Sequence, residues 1–334
     1  MKKFIIAAAL VAGAFAPARA QQSLAVASGE LHILPVQGNI YMLVGAGSNI
    51  TLSIGPDGVM MVNSGLAQNA DKVVAEIRKL TDKPIRYIIN TSADADDTGG
   101  NEAIAKLGGT IAGGNVGAGA GLGAAIVSHE NVLNRMSAPT GSEAATPVGA
   151  WPTETFFTKK REMYFNGEPI EILYQPNAHT DGDVMVFFRH SDVIAAGEVF
   201  LTTTFPMVDV ARGGTINGTL AALNNIIDIT VPKDKEEGGT YVIPGHGRLC
   251  DEADVVEYRD MSTIVRDRFL DLVKKGQSLA QVKARNPLLD YELRYGSKTA
   301  PWTSDAFIET VYNEMNKNVN KDLKTPVKAP AKKK

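Results

Sequence analysis

The sequence predicts an α/β protein in which sheets pack face to face with helices outside. Three observations carry this expectation: short apolar runs separated by turn residues near the start, a strand-then-helix order that occurs twice, and long helical patterns after Asp251.

The elements follow in order. Residues 39–44, 48–54 and 59–62 are apolar runs broken by glycine and by the Pro56-Asp57-Gly58 turn, the pattern of an antiparallel meander. Between Gln68 and Leu80, Val73, Val74, Ile77 and Leu80 recur at helical spacing with charges between them. Residues 85–89 read as a buried strand that delivers the chain into an acidic loop, Asn90-Thr91-Ser92-Ala93-Asp94-Ala95-Asp96-Asp97-Thr98-Gly99-Gly100-Asn101. A second helix is expected from about Asn101. The second half repeats the order, with strands at 170–174, 184–188 and 193–196, a helix at 220–227 and a strand at 241–244. Helices are expected again at 253–275 and 305–318.

At the N-terminus, Lys2 and Lys3 precede an apolar run that ends in Ala18-Arg19-Ala20. Residues 1–20 are therefore expected to be a secretory signal peptide, cleaved near Ala20, which places the mature chain in the periplasm or outside the cell. No later stretch reaches about 18 uncharged apolar residues, so no membrane span is expected. Residues 21–323 are read as one domain including the C-terminal helices, and 324–334 as a disordered basic tail. Without the first twenty residues, 31 Lys and Arg stand against 37 Asp and Glu, and no basic stripe interleaved with aromatics is visible, so nucleic acid is not an expected partner. Cys250 is the sole cysteine, which excludes an internal disulfide. Residues 108–123 contain eight glycines without the dinucleotide-binding spacing, and read as a surface loop or as a flap over a site.

The acidic loop is the first chemical signal. Asp94, Asp96 and Asp97 fall within four residues, and carboxylates that close repel unless water, a helix N-terminus or a cation compensates them. A solvated capping cluster is one reading and a metal site the other. Three further segments favour the second: His179 in Asn177-Ala178-His179-Thr180-Asp181-Gly182-Asp183, Glu198 in Ala196-Gly197-Glu198-Val199-Phe200, and His246 in Pro244-Gly245-His246-Gly247. His32 and His190 carry no such context, and His129 stays open between a structural and a site role.

In this order the segments resemble the metallo-β-lactamase superfamily, whose motifs run Asn-Thr-His-x-His-x-Asp-His-x-Gly-Gly-Asn, His-Thr-x-Gly-Asp, an apolar strand ending in Gly-Asp, and Pro-Gly-His-Gly. The resemblance spans roughly residues 38–251, and Met61-Val62-Asn63-Ser64-Gly65 resembles the family's Val-Asp-Thr-Gly strand end with Asn63 in place of aspartate. It implies an αββα sandwich, here with a C-terminal helical extension. It also implies a first metal site at Ser92, Asp94 and His179, a second at Asp96, Asp97 and His246, and a bridging carboxylate at Glu198. Three of the family's histidines are thus Ser92, Asp94 and Asp97, and its bridging aspartate is Glu198.

The expected metal residues are Asp94, Asp96, Asp97, His179, Glu198 and His246, with Asp96 also expected to orient the attacking water and act as general base. One or two divalent ions are implied. If one binds, the second site is expected to hold it, because neutral Ser92 is a poor ligand. Replacing imidazole by carboxylate favours Mn, Fe, Mg or Ca, without excluding Zn. The resemblance implies a hydrolase acting through metal-activated water on an ester, lactone, amide or phosphoester. The alternative is a catalytically inactive binding protein of the same fold. Either takes a small-molecule substrate or ligand.

Overall fold

The computed structural model describes residues 30–109, 123–140, 143–235, 238–298 and 302–324. The expected signal segment, the glycine-rich stretch 110–122 and the tail from Thr325 lie outside the described residues.

The meander is present and starts one strand earlier than the sequence suggests. β1 (His32–Gln37), β2 (Ile40–Val44), β3 (Ile50–Gly55) and β4 (Gly58–Val62) pair antiparallel in turn. β1 escapes a reading by hydrophobicity because only its neighbour Leu31 is buried, whereas His32, Leu34 and Pro35 face outward. Helix α1 (Ala70–Arg78) returns the chain to β5 (Ile85–Ile89), parallel to β4. The segment read as an acidic loop holds a turn of helix, α2 (Ala95–Thr98), and leads into α3 (Asn101–Leu107). β6 (Ala125–His129), α4 (Glu130–Met136), the two-residue strands β7 (Pro139–Thr140) and β8 (Glu143–Ala144), and β9 (Glu154–Phe156) follow. Among the described residues the first sheet runs β1-β2-β3-β4-β5-β6-β9.

The second sheet contains β10 (Lys160–Phe165), β11 (Glu168–Tyr174), β12 (Val184–Phe188), β13 (Val193–Leu201) and β14 (Tyr241–His246), in that order. β13 and β14 are parallel, joined through α5 (Ile216–Ile229). Helices α6 (Glu252–Lys274), α7 (Leu279–Arg285), α8 (Glu292–Tyr295) and α9 (Ser304–Lys324) complete the chain. α6 starts at Asp251, whose side chain accepts from the Asp254 backbone N–H while Asp254 accepts from that of Asp251, a reciprocal cap of two otherwise unpaired donors.

Strand periodicity explains the layers. In β4, Met60 and Val62 pack between the sheets with Ile89, Ile172, Val186 and Ile243, whereas Val59 and Met61 pack under α1 and α3 with Val73, Ile77 and Ile104. In β12, Val184, Val186 and Phe188 face the first sheet, and Met185 faces Leu223, Tyr258 and Phe307 of the outer helices. Side chains alternate between faces, and both faces of these strands are covered, so the strands are apolar throughout. The result is helix, sheet, sheet, helix. The C-terminal helices share the core of the second sheet: Phe307 of α9 stacks on Phe205 with centroids 5.1 Å apart, and the Trp302 indole N–H donates to the Phe205 carbonyl at 3.2 Å.

Candidate metal centre

Strand ends bring the polar segments together at one end of the sandwich. The acidic segment follows β5, Glu198 lies inside β13, and His246 ends β14, beside Leu201 in the parallel register. Backbone bonds hold the two sheets in this relation: the Val184 N–H donates to the Thr91 carbonyl at 2.9 Å, and the Asn49 N–H to the Gly245 carbonyl at 2.7 Å. Asn49 Nδ2 also donates to the carbonyls of Pro244 and Gly247, clamping the turn that carries His246.

Asp96, Glu198 and His246 converge, each offering one ligand atom within 4.8 Å of the others. His246 Nε2 lies 3.0 Å from Asp96 Oδ2 and 3.3 Å from Glu198 Oε1. Two glycines make room: a Cβ at Gly245 would stand 2.5 Å from Glu198 Oε1, and one at Gly47 would stand 2.9 Å from Asp96 Cβ. The Glu198 side chain is 2% exposed, and among the described residues neither of its oxygens has a hydrogen-bond partner. Burial opposes the charge on His246, yet Asp96 and Glu198 overcome it and raise the imidazole pKa to about 11. Burial likewise opposes ionisation of Asp96, and the His246 contact brings its carboxyl below the usual range.

The structure does not bring Asp97 into this group. Its carboxylate, fully buried, accepts from Asn63 Nδ2 at 2.7 Å and from the Ser92 hydroxyl at 2.6 Å, with the Thr91 hydroxyl 3.1 Å away. Burial and the charges of Glu198, Asp96 and Asp94 push its pKa well up. Ser92, expected to be a poor ligand, is spent on this bond and accepts from the Asp94 N–H at 3.0 Å.

Asp94 and His179 form a second cluster. Asp94 Oδ1 is paired with the Arg212 guanidinium, and Asp94 Oδ2 stands 3.5 Å from His179 Nε2. His179 Nδ1 lies 3.7 Å from Asp183, whose carboxylate accepts from the Thr180 N–H and hydroxyl. Burial disfavours the imidazolium, but Asp183, Asp94 and Glu198 raise the His179 pKa to about 9. Sequence reasoning misses Arg212, because nothing in Val210-Ala211-Arg212-Gly213 marks it and its partner Asp94 is distant in the chain. Asp183 sits inside the His-Thr-x-Gly-Asp motif and could have been found there.

The histidine left open, His129, caps α4 by accepting from the Asn131 N–H and stacks on Tyr174 at 3.9 Å, a structural role. Cys250 is buried, donates to the Arg248 carbonyl at 3.2 Å, and has its thiol pKa raised by burial. Next to His246 a cleft of about 1650 Å³ opens, with Met42, Leu34, Phe200, Leu201 and Tyr258 among its walls.

Among solved structures, the fold is similar to a metallo-beta-lactamase from Pontibacter korlensis at 14% identity and a TM-score of 0.53, covering 70% of this chain and 99% of that one. It is also similar to the stereoselective inverting sec-alkylsulfatase Pisa1 from Pseudomonas sp., at 15% identity and a TM-score of 0.59, covering 85% of this chain and 50% of that one. The DIM-1 metallo-beta-lactamase aligns at 16% identity and a TM-score of 0.50, covering 70% of this chain and 97% of that one. The chain thus spans about half the length of the sulfatase and nearly all of the lactamases. At these identities the likeness is one of fold. No curated protein matches the sequence. The family model of the metallo-beta-lactamase superfamily matches residues 35–246, and with the αββα layers and the strand-end cluster in place, the chain belongs to that superfamily.

Proposed function

We propose that the chain is a hydrolase that works with one divalent ion held by Asp96, Glu198 and His246, acting after export on an ester, lactone, amide or phosphoester of a small molecule. The observation that carries this reading is Glu198. A carboxylate that is 2% exposed, with the His246 ring nitrogen 3.3 Å from Oε1 and no hydrogen bond to either oxygen among the described residues, is costly unless a cation compensates it. In the metal-free protein the His246 imidazolium supplies that compensation, and an ion would take over when the imidazole becomes a neutral ligand. Two carboxylates and one imidazole fit a divalent ion, and the oxygen-rich set favours Mn, Fe, Mg or Ca over Zn.

When bound, such an ion supplies Lewis-acid polarisation of the scissile group and a lowered pKa for the attacking water. Glu198, rooted in a fully buried strand, and His246, clamped through its turn by Asn49, give the site a rigid wall. Asp96 stands at the start of α2 with its side chain part-exposed, placed to orient water and accept its proton. The cleft beside His246 gives a small substrate an approach walled by apolar side chains such as Met42, Phe200 and Leu201 and by charged ones such as Lys72, Lys79 and Arg248.

The test is to strip the purified protein with chelator and reload it separately with Zn, Mn, Fe, Mg and Ca. Turnover is then followed on esters, lactones, a β-lactam, phosphodiesters and, given the sulfatase neighbour, a sec-alkyl sulfate. One ion per chain and ion-dependent turnover are expected; no bound ion and no turnover would refute the reading. A second reading, a binding protein without catalysis, draws on the engagement of Ser92 by Asp97 and of Asp94 by Arg212. It predicts a bound ion with no turnover on any substrate.

A further inference from the structure

At the positions where the family motif sets its first ion, this chain has already supplied a cation. Asp94 carries the Arg212 guanidinium on Oδ1, and the remaining groups extend the alternation of charge: Asp209, Arg212, Asp94, His179, Asp183. Arg212 Nε donates to Asp209 Oδ2 at 2.6 Å, and the Arg212 backbone N–H donates to Asp209 Oδ1 at 2.9 Å. We infer that Arg212 is a built-in replacement for the first ion, so that the protein takes one divalent ion and closes the first site to a second.

Arg212 is held where this role needs it. It ends a 3-10 turn, Val210–Arg212, and Gly213 behind it has a φ of 84°, which returns the chain sharply. The Asp209 N–H donates to the His179 carbonyl at 2.9 Å, and the Asp181 N–H donates to the Arg212 carbonyl at 2.9 Å. The loop with the guanidinium and the loop with His179 are therefore one unit. A guanidinium stays protonated at any working pH and cannot be removed by chelator, so Asp94 is neutralised permanently. A second divalent ion would have to displace Arg212 from Asp94, and Ser92 offers it no ligand while its hydroxyl is bound to Asp97. The chain also makes sense of Asp94 itself, since the carboxylate here reaches the guanidinium as an ion-pair partner.

This inference rests on the preceding reading only for where the one ion sits. The test counts ions. Wild type, Arg212→Lys and Arg212→Met are stripped, titrated calorimetrically with Zn²⁺ and with Mn²⁺, and analysed for metal after gel filtration. Wild type and Arg212→Lys, which keeps the positive charge, are expected to bind one ion per chain. Arg212→Met is expected to bind one more, at least tenfold more weakly, and to gain thermal stability as that second ion is added. If Arg212→Met does not fold, Arg212→Gln, which keeps an amide donor towards Asp94, serves in its place. Two ions in the wild type, or no gain on losing the guanidinium, would overturn the inference. Zero ions in the wild type with one gained in the variant would uphold it while removing the ion from Asp96, Glu198 and His246. One ion in both would do the opposite.

Discussion

Asn63 Nδ2 donates to Asp97 Oδ1 at 2.7 Å, and Asn63 Oδ1 accepts from the Thr91 backbone N–H at 2.9 Å. Asn63 follows β4 with a φ of 66°, a left-handed conformation that asparagine tolerates better than most residues. An aspartate at 63, the residue of the family motif, would set two buried carboxylates against each other. The two departures from the motif, at 63 and at 97, thus compensate one another.

Asn63→Asp is therefore expected to cost at least about 1–3 kcal/mol of stability at neutral pH, since it removes a buried donor and adds a like charge. Urea unfolding measures it. The loss should shrink as the pH falls and one carboxyl of the pair protonates; a variant as stable as the wild type at neutral pH would contradict the arrangement.

Gly245 carries the next expectation. A Cβ there would stand 2.5 Å from Glu198 Oε1 and 2.8 Å from the Gly197 carbonyl, and β13 is buried along its length. Gly245→Ala should push the Glu198 carboxylate off its position, lowering ion affinity at least tenfold and stability by about 1–3 kcal/mol. Calorimetric titration with Mn²⁺ and urea unfolding read the two effects separately.

Removing the proposed ion should destabilise the wild type. An ion at 100 times its dissociation constant adds about 2.7 kcal/mol, so chelator should lower the unfolding midpoint. His246→Ala takes away one of the three converging ligands and should make the midpoint insensitive to chelator. A chelator effect that survives His246→Ala would place the ion elsewhere.

Glu314 supplies a pH dependence away from the site. It is buried on α9, its Oε2 accepts from the Ile216 N–H in the first turn of α5 at 3.1 Å, and burial raises its pKa despite that bond. The folded state thus holds this proton more tightly than the unfolded chain does. The contribution to stability is fully present below the ordinary glutamate range and is lost as the pH rises through the folded value. Glu314→Gln keeps an acceptor for Ile216 and should flatten that slope. Urea unfolding at a series of pH values from the glutamate range to neutrality checks it, and an unchanged slope would contradict the assignment.

Much of the fold was legible in the chain. The strands at 184–188 and 241–244 and the helix at 253–275 carry their periodicity locally, and the structure places β12, β14 and α6 there with small shifts at the ends. β1 and β10 were not, because they lie at sheet edges where β1 buries no side chain and β10 only Phe165, and their pairing partners rather than their composition make them strands. α2 was not legible either. Four residues give little periodicity, and its turn depends on Asp94 to Gly99 backbone bonds that form inside a packed loop.

The order of the polar segments was enough to point to the superfamily, because the acidic segment and His246 fall at the ends of apolar strands and Glu198 within one. Only the tertiary structure decided how the acidic residues divide. Asp96 joins Glu198 and His246, Asp97 turns to Asn63 and Ser92, and Asp94 turns to Arg212. Neighbouring aspartates on a tight turn point in different directions, and each takes the partner that distant chain brings within reach. Arg212 lies 118 residues from Asp94. No local pattern could announce that pairing, because its energy comes from burial and charge that exist only once the two sheets have closed.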